Sequence, residues 1–444
     1  MNSLKTNYTY NIRSWVTNMS SPLYSQTLTY GYGGNIATQQ WVQDSKTRKY
    51  TYTYDGLNRL THAAYTGDGN YTANYSYDNM GNITSLKRYD VSLVDNLTYT
   101  YNGNQLTKVE DATSNAFGFA NGASTTNEYT YDANGNLTKD SNKGIASITY
   151  NSLNLPQVVT FSNGNTITYL YAADGRKLRT VHVTNGTATT TDYCGNVIYE
   201  NGTARLLLTE AGYIDLSDNS YHYYIKDHLG NNRVVADANG TVEESNQYYP
   251  FGLLYANSNS SLQPYKYNSK ELDTKNGLNW YDYGARHYDA ALGRWHVVDP
   301  LSEKYYSSSP YVYCNNNPIR FIDPNGKDGW DIVVGYGIGF VTNVIPGTGF
   351  LRDTYTPTDA SDYNNALRGA DNASMAAGLA MFVDGGNKTA TGSGAMTTGL
   401  VVSAVSGGTA TVVGGPVAAG GAIVIGAGTI NGCGLFINEQ CRNK

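Results

Sequence analysis

Residues 52–60 read YTYDGLNRL, and the pattern returns along the chain as YSYDNMGNI at 75–83, YTYNGNQL at 99–106 and YTYDANGNL at 129–137. Weaker copies stand at 148–151 (ITYN) and 169–176 (YLYAADGR), and a degenerate one at 30–36 (YGYGGNI). A spacing of roughly twenty residues is the mark of a repeat architecture. Within a unit, the Tyr-Thr-Tyr alternation puts every second side chain on one face, as a half-buried strand requires. The Asp-x-x-Gly-Asn that follows is turn chemistry: Asp and Asn bond their own backbone, and Gly accepts a positive φ. The next apolar residue starts a return strand. Each unit is therefore predicted to be a β-hairpin with one unburied face, which only a stacked neighbour covers.

Composition agrees with that reading. The 444 residues include 41 Tyr against 9 Phe and 5 Trp, with 48 Gly, which suits twisted strands joined by tight turns. That length allows two or three domains. Charged residues make up 15 % and the net charge is −6, so the bulk of the chain has no general attraction for phosphate backbones or anionic lipid. Nucleic acid is not expected as a partner. The cysteines, Cys194, Cys314, Cys433 and Cys441, are scattered and form no CxxC pair. Neither a disulfide framework nor a structural zinc site is expected, and no cofactor or metal. Cys433 and Cys441 are read as free thiols, or as a pair in an oxidising compartment. The N-terminus has no apolar h-region and is not read as a secretory signal. It begins in mid-pattern, as though a longer protein had been cut.

The units resemble the tyrosine-aspartate (YD) repeats of rearrangement-hotspot (Rhs) proteins, insecticidal-complex C components and teneurins. The resemblance implies that successive hairpins coil into a hollow β-shell. A flat solenoid, or a wall-binding array whose tyrosines stack on sugar rings, is the alternative. From Tyr193 to Leu254 the pattern loosens. Asp227-His228-Leu229-Gly230-Asn231-Asn232-Arg233 resembles the D-H-L-G-x-x-R segment of the family, followed by Tyr249-Pro250-Phe251-Gly252. Adjacent strand residues point to opposite faces, so Asp227 and His228 are not read as a catalytic pair. His228 is expected to be a structural hydrogen-bonding residue, and Arg233 an ion-pair partner of Asp227 or a nearby carboxylate.

Residues 265–326 carry K-E-x-D (Lys270, Glu271, Asp273), Y-D-Y-G-A-R-x-Y-D (281–289) and G-R-W (293–295). Asp299-Pro300 follows, then N-N-P-x-x-x-x-D-P-x-G, which contains Asp323-Pro324 and ends at Gly326. This order resembles the Rhs repeat-associated core throughout, and the resemblance covers about residues 1–327. It implies an aspartic-type autoprotease that cuts just after the second D-P-x-G. The residues carried over are Asp299 and Asp323 as catalytic carboxylates, Arg294 as an orienting or charge-tuning residue, and cleavage near Lys327. Two close carboxylates cannot both ionise, so one stays an acid while the other activates water. Asp-Pro-Asn-Gly is equally an ordinary turn sequence. Two features depart from the family pattern: Lys327 stands where cleaving members commonly have an apolar residue, and the repeat array is short for a closed shell.

Beyond residue 328 the family carries a variable C-terminal domain, often a toxin. Here residues 330–341 read as a short apolar helix and 362–379 as an amphipathic one. Residues 389–438 contain no charge. Two spans of about twenty residues would fit there, broken at Gly414-Gly415-Pro416. They are read as a membrane-active or translocation hairpin, with a packed soluble segment as the alternative. No nuclease, deaminase or protease constellation follows.

The expected architecture is mainly β: a curled sheet of stacked hairpin repeats forming a partial shell, plus a helical, Gly/Ala-rich apolar C-terminal region. The expected domains are repeats over 1–192, the core over 193–327 and a variable region over 328–444. The function read from this is that of a C-terminal fragment of an Rhs-type toxin or effector, secreted or at the cell surface, acting between bacteria. Its shell would enclose and release a C-terminal cargo. Expected partners are that cargo, an immunity protein, a secretion apparatus and a membrane touched through 389–438. The alternative is a non-enzymatic surface or wall-associated repeat protein that binds glycans or a receptor.

Overall fold

The computed structural model describes residues 4–327 except 114, 116, 259 and 260, together with the backbone of 401–405 and 409–413. The chain divides into two units, Met1–Met375 and Ala376–Lys444. In the first unit, strands β1 (Asn7–Tyr10) to β10 (Gln105–Asp111) form one sheet, and β11 (Tyr129–Tyr131) to β23 (Val242–Ser245) form a second. Both sheets follow sequence order, so every strand pairs antiparallel with its chain neighbours. The second sheet runs unbroken through residues 192–193. A third sheet holds β24 (Glu271–Asp273), β25 (Trp280–Asp282), β26 (His287–Asp289) and β27 (Arg294–Trp295).

The repeat chemistry explains the meander. In the 78–82 turn the Asp78 N–H donates to the Asn82 carbonyl and the Gly81 N–H to the Asp78 carbonyl. The Asp78 carboxylate accepts from the Met80 and Asn82 N–H groups at 2.9 and 2.8 Å. Gly81, at φ +82, is where the chain must enter the left-handed region. Asp55, Asp132 and Asp227 build the same turn. Asn11 builds it too, in an additional copy at 8–16. The degenerate copy sits two residues earlier than its tyrosines suggest. Gly31 takes the Asp position and Tyr30 the preceding one, while Tyr32 is fully exposed.

The two tyrosines of a unit have separate tasks. The first (Tyr52, Tyr75, Tyr99, Tyr129, Tyr169) is buried in the core. In several units the second sends its hydroxyl back to a carbonyl of the preceding hairpin: Tyr54 to Ile36, Tyr77 to Leu60, Tyr101 to Ile83 and Tyr150 to Leu137, at 2.5–2.7 Å. The first set is therefore packed away from any sugar ring, which removes the basis for a glycan-stacking ladder.

The core segment packs against both sheets. Trp280, Tyr281, Tyr283, Tyr288, Trp295 and Tyr313 are fully buried. Their rings meet edge-on and offset, as at Tyr283–Trp295 (5.1 Å) and Tyr288–Tyr313 (4.0 Å). Arg88 ties this segment to the first sheet. Its Nε donates to Asp95 at 2.6 Å, and its terminal nitrogens donate to the carbonyls of Ala290 and Ala291. Lys143, Lys177 and His182 tie it to the second sheet through Asp289, Glu271 with Asp282, and Asp273.

In the second unit, β28 (Val401–Val405) pairs antiparallel with β29 (Thr409–Val413). Over these residues the expected helical span is replaced by strand, in keeping with their β-branched Val and Thr. The rest of the expected helical tail lies outside the described residues: the helices at 330–341 and 362–379, the remainder of 389–438, and Cys433 with Cys441. Among the described residues no helix is long and apolar enough to cross a membrane.

Candidate functional site

Asp323 builds the turn at 323–327. Its Oδ1 accepts from the N–H groups of Gly326 (2.7 Å) and Lys327 (3.0 Å). The Ala285 N–H donates to the Asn325 carbonyl at 3.0 Å, and Lys270 Nζ donates to the Pro324 carbonyl. Gly326 has φ +76, and a Cβ there would lie 2.9 Å from the Arg286 backbone nitrogen. Only glycine fits so close to the 283–286 loop.

Arg286 is the centre of the site. Its Nε donates to the Gly326 carbonyl at 2.6 Å, and that carbonyl belongs to the Gly326–Lys327 peptide. Its Nη2 lies 2.9 Å from Asp299 Oδ2 and 3.2 Å from Asp323 Oδ2. The guanidinium stacks 4.2 Å above the Trp295 ring and is 2 % exposed. One cation thus gathers both carboxylates and polarises the carbonyl between them. Asp299 is held by the Leu301 N–H on its Oδ1 (2.7 Å) and faces a cleft. That cleft, of about 40 Å³, is also lined by Arg286, Ser309, Cys314, Asp323 and Lys327, and has room for a water molecule.

The structure therefore brings Asp299 and Asp323 together, but through Arg286 and not Arg294. Arg294 leaves β27 toward the first sheet. Its Nη2 donates to the Asn104 carbonyl at 2.9 Å, and its guanidinium sits over the rings of Tyr101 and Tyr311. It belongs to a row of core donors that reach one repeat turn each. Arg320 reaches the Gly33 carbonyl, Asn317 that of Asn58, Asn316 that of Gly81, and Tyr311 that of Gly135, at 2.7–2.9 Å. Nothing local in the sequence separates the two arginines. Arg286 lies farther from Asp299 along the chain, and it is the turn of the β25–β26 hairpin that sets it beside the aspartates.

Asp227 and His228 lie in a repeat turn and not along a strand. Asp227 pairs with Arg233 Nε at 2.8 Å, as expected. His228 is structural, as expected: Gln26 donates to its Nδ1, and its Nε2 donates to the Ile319 carbonyl, both at 2.9 Å. Burial lowers its pKa. Cys314 lines the aspartate cleft, but burial pushes its thiol pKa well above the ordinary value, so it is no thiolate nucleophile there.

Asp-turn hairpins in two antiparallel meanders, packed on an aromatic core segment, define a YD-repeat shell protein. The Teneurin YD-shell family model matches residues 4–320, and the chain belongs to that family. Among its relatives, Salivary gland surface protein 1 of Aedes aegypti is 26 % identical over 314 residues, 64 % of this chain and 9 % of that protein. The tRNA3(Ser)-specific nuclease WapA of Bacillus spizizenii is 27 % identical over 64 % of this chain and 11 % of its own length. Toxin subunit YenC1 of Yersinia entomophaga is 25 % identical over 67 % of this chain and 36 % of its own. The chain thus spans a small part of the first two and about a third of the last. A crystal structure of TcdB2-TccC3-TEV shares the fold with a TM-score of 0.60 at 21 % identity, covering 73 % of this chain and 18 % of that one.

Proposed function

We propose that this chain is the cleaving end of a YD shell, which cuts its own Gly326–Lys327 peptide and so releases a C-terminal cargo. The observation that carries the reading is the single Arg286 guanidinium shared by Asp299, Asp323 and the Gly326 carbonyl oxygen. Asp299, facing the cleft, takes a proton from water. The hydroxide oxygen adds to the Gly326 carbonyl carbon, and Arg286 stabilises the oxyanion that forms. The C–N bond then breaks, and the Lys327 nitrogen, whose N–H is held by Asp323 Oδ1 at 3.0 Å, leaves with the proton that Asp299 took from the water. A new carboxyl at Gly326 and a new amine at Lys327 result.

The toxin-subunit name among the relatives supports an effector with partner subunits, and secretion or surface delivery with an immunity protein completes the reading. Interbacterial use and membrane contact through 389–438 belong to the same reading. In this reading any nucleic-acid chemistry of the kind that the WapA name denotes belongs to a cargo. A second reading, a non-enzymatic surface protein that docks a receptor, is favoured by the likeness to a salivary gland surface protein.

Intact mass of the purified chain decides between them. Wild type is expected to split between Gly326 and Lys327, while Asp323→Asn and Asp299→Asn stay whole. A wild-type chain that stays whole under all conditions removes the protease and leaves the second reading.

A further inference from the structure

The Lys270-Glu271-Leu272-Asp273 motif has three charges with three destinations. Lys270 grips the Pro324 carbonyl inside the scissile turn, its ammonium 5.1 Å from the Tyr283 ring centre. Asp273 meets His182 of the second sheet at 2.9 Å. Glu271, in β24, stands directly opposite Asp282 in β25. Like charges facing each other across an antiparallel pair repel. Here a cation from the shell wall separates them. Lys177, from β16 (Lys177–Thr184), lies 2.8 Å from Glu271 and 2.6 Å from Asp282. Tyr193, from β17 (Thr187–Cys194), donates to the other Glu271 oxygen at 2.7 Å, and its ring lies 4.5 Å from the Lys177 ammonium. Burial works against that ammonium, yet Asp282 and Glu271 hold its pKa well above the ordinary lysine value.

Both strands of this pair lead straight into the cleavage site. β24 begins one residue after Lys270. β25 is followed by Tyr283-Gly284-Ala285-Arg286, where Ala285 holds the Asn325 carbonyl and Arg286 the Gly326 carbonyl. We propose that Lys177 is a positioning residue through which docking of the shell wall licenses self-cleavage. This rests on the self-cleavage reading above. With Lys177 seated, Glu271 and Asp282 tolerate each other, and the β24–β25 pair holds Lys270 and Arg286 on the turn. Without it, the two carboxylates push the strands apart and the Gly326 carbonyl leaves Arg286. A chain whose second sheet has not yet folded therefore keeps its cargo attached.

The test compares wild type, Lys177→Met, Lys177→Arg, and Lys177→Met combined with Glu271→Gln and Asp282→Asn. Cleavage is followed by intact mass. Hydrogen exchange of residues 320–327 is followed in an Asp299→Asn background that does not cut. Lys177→Met is expected to slow cleavage about tenfold or more and to speed exchange at 320–327. Lys177→Arg should keep both near wild type, and the neutralised triple variant should restore both. The inference is overturned if Lys177→Met cuts and exchanges like wild type. It is also overturned if the triple variant stays as impaired as the single one, since loss of packing alone would then explain the defect. Should wild type never cut, the self-cleavage reading fails while the exchange comparison still decides the coupling.

Discussion

Arg286 and Arg294 lie eight positions apart and are both buried, yet they do different work. Arg286→Gln removes the donor on the Gly326 carbonyl and should slow self-cleavage by about 10²–10³-fold, as measured by intact mass over time. Arg294→Gln breaks a strut to the Asn104 carbonyl and should instead lower unfolding stability by about 1–3 kcal/mol, with cleavage of the folded chain retained. A third buried charge carries a pH signature. Burial raises the Asp140 carboxyl to a pKa of about 6, Lys143 opposing and Asp289 adding to the shift. Between its unfolded value near 4 and about 6, the folded chain holds more protons than the unfolded one, so stability falls as pH rises through that window. Asp140→Asn keeps the acceptor that bonds the Asn142 and Lys143 N–H groups without the charge. It should raise stability at pH 7 by up to roughly 3 kcal/mol relative to wild type and make little difference at pH 4, measured by denaturant titration at both.

At the scale of one hairpin, stability comes from a turn and a tether that repeat together. Tyr77→Phe removes the hydroxyl that reaches the Leu60 carbonyl and should cost about 1 kcal/mol. The same change at Tyr54 or Tyr101 should cost a similar amount, and distant pairs should add. Turn glycines differ by what faces them. An added Cβ at Gly135 would sit 2.7 Å from both the Tyr311 hydroxyl and Val298 Cγ2, whereas at Gly103 it meets nothing within 4 Å. Gly135→Ala should therefore cost several kcal/mol, and Gly103→Ala only about 1–2 kcal/mol from its positive φ. Equal losses in thermal melts would contradict the row of core donors on the repeat turns.

For the whole first unit, the core segment helps to make one body of two separate meanders. Neighbouring strands pair only with each other, so the two sheets are joined by side chains, directly as where Gln43 donates to the Arg233 carbonyl at 3.0 Å, and through the core segment. Arg88 supplies one such contact, since its guanidinium joins Asp95 of the first sheet to the Ala290 and Ala291 carbonyls of the core. Arg88→Met leaves Asp95 buried with its cation gone. It should cost about 3–5 kcal/mol. A split of the unfolding transition into two steps is the further expected outcome in calorimetry, and a single unshifted transition would contradict it.

What the sequence alone determined is the local physics. The Tyr-x-Tyr alternation and the Asp turn specify each hairpin from residues within about ten positions, and so the mainly β meander was legible in the residues themselves. The resemblance of the motif order to the Rhs core also implied that Asp299 and Asp323 share a site. The tertiary structure decided which arginine serves them. It decided that Tyr30 and not Tyr32 ends its strand, and that residues 401–405 and 409–413 are strand. It also decided that Lys177 stands between Glu271 and Asp282. The reason is common to all of these. A hairpin is written in neighbouring residues, whereas the direction of a buried charge depends on which distant strand the packing brings beside it.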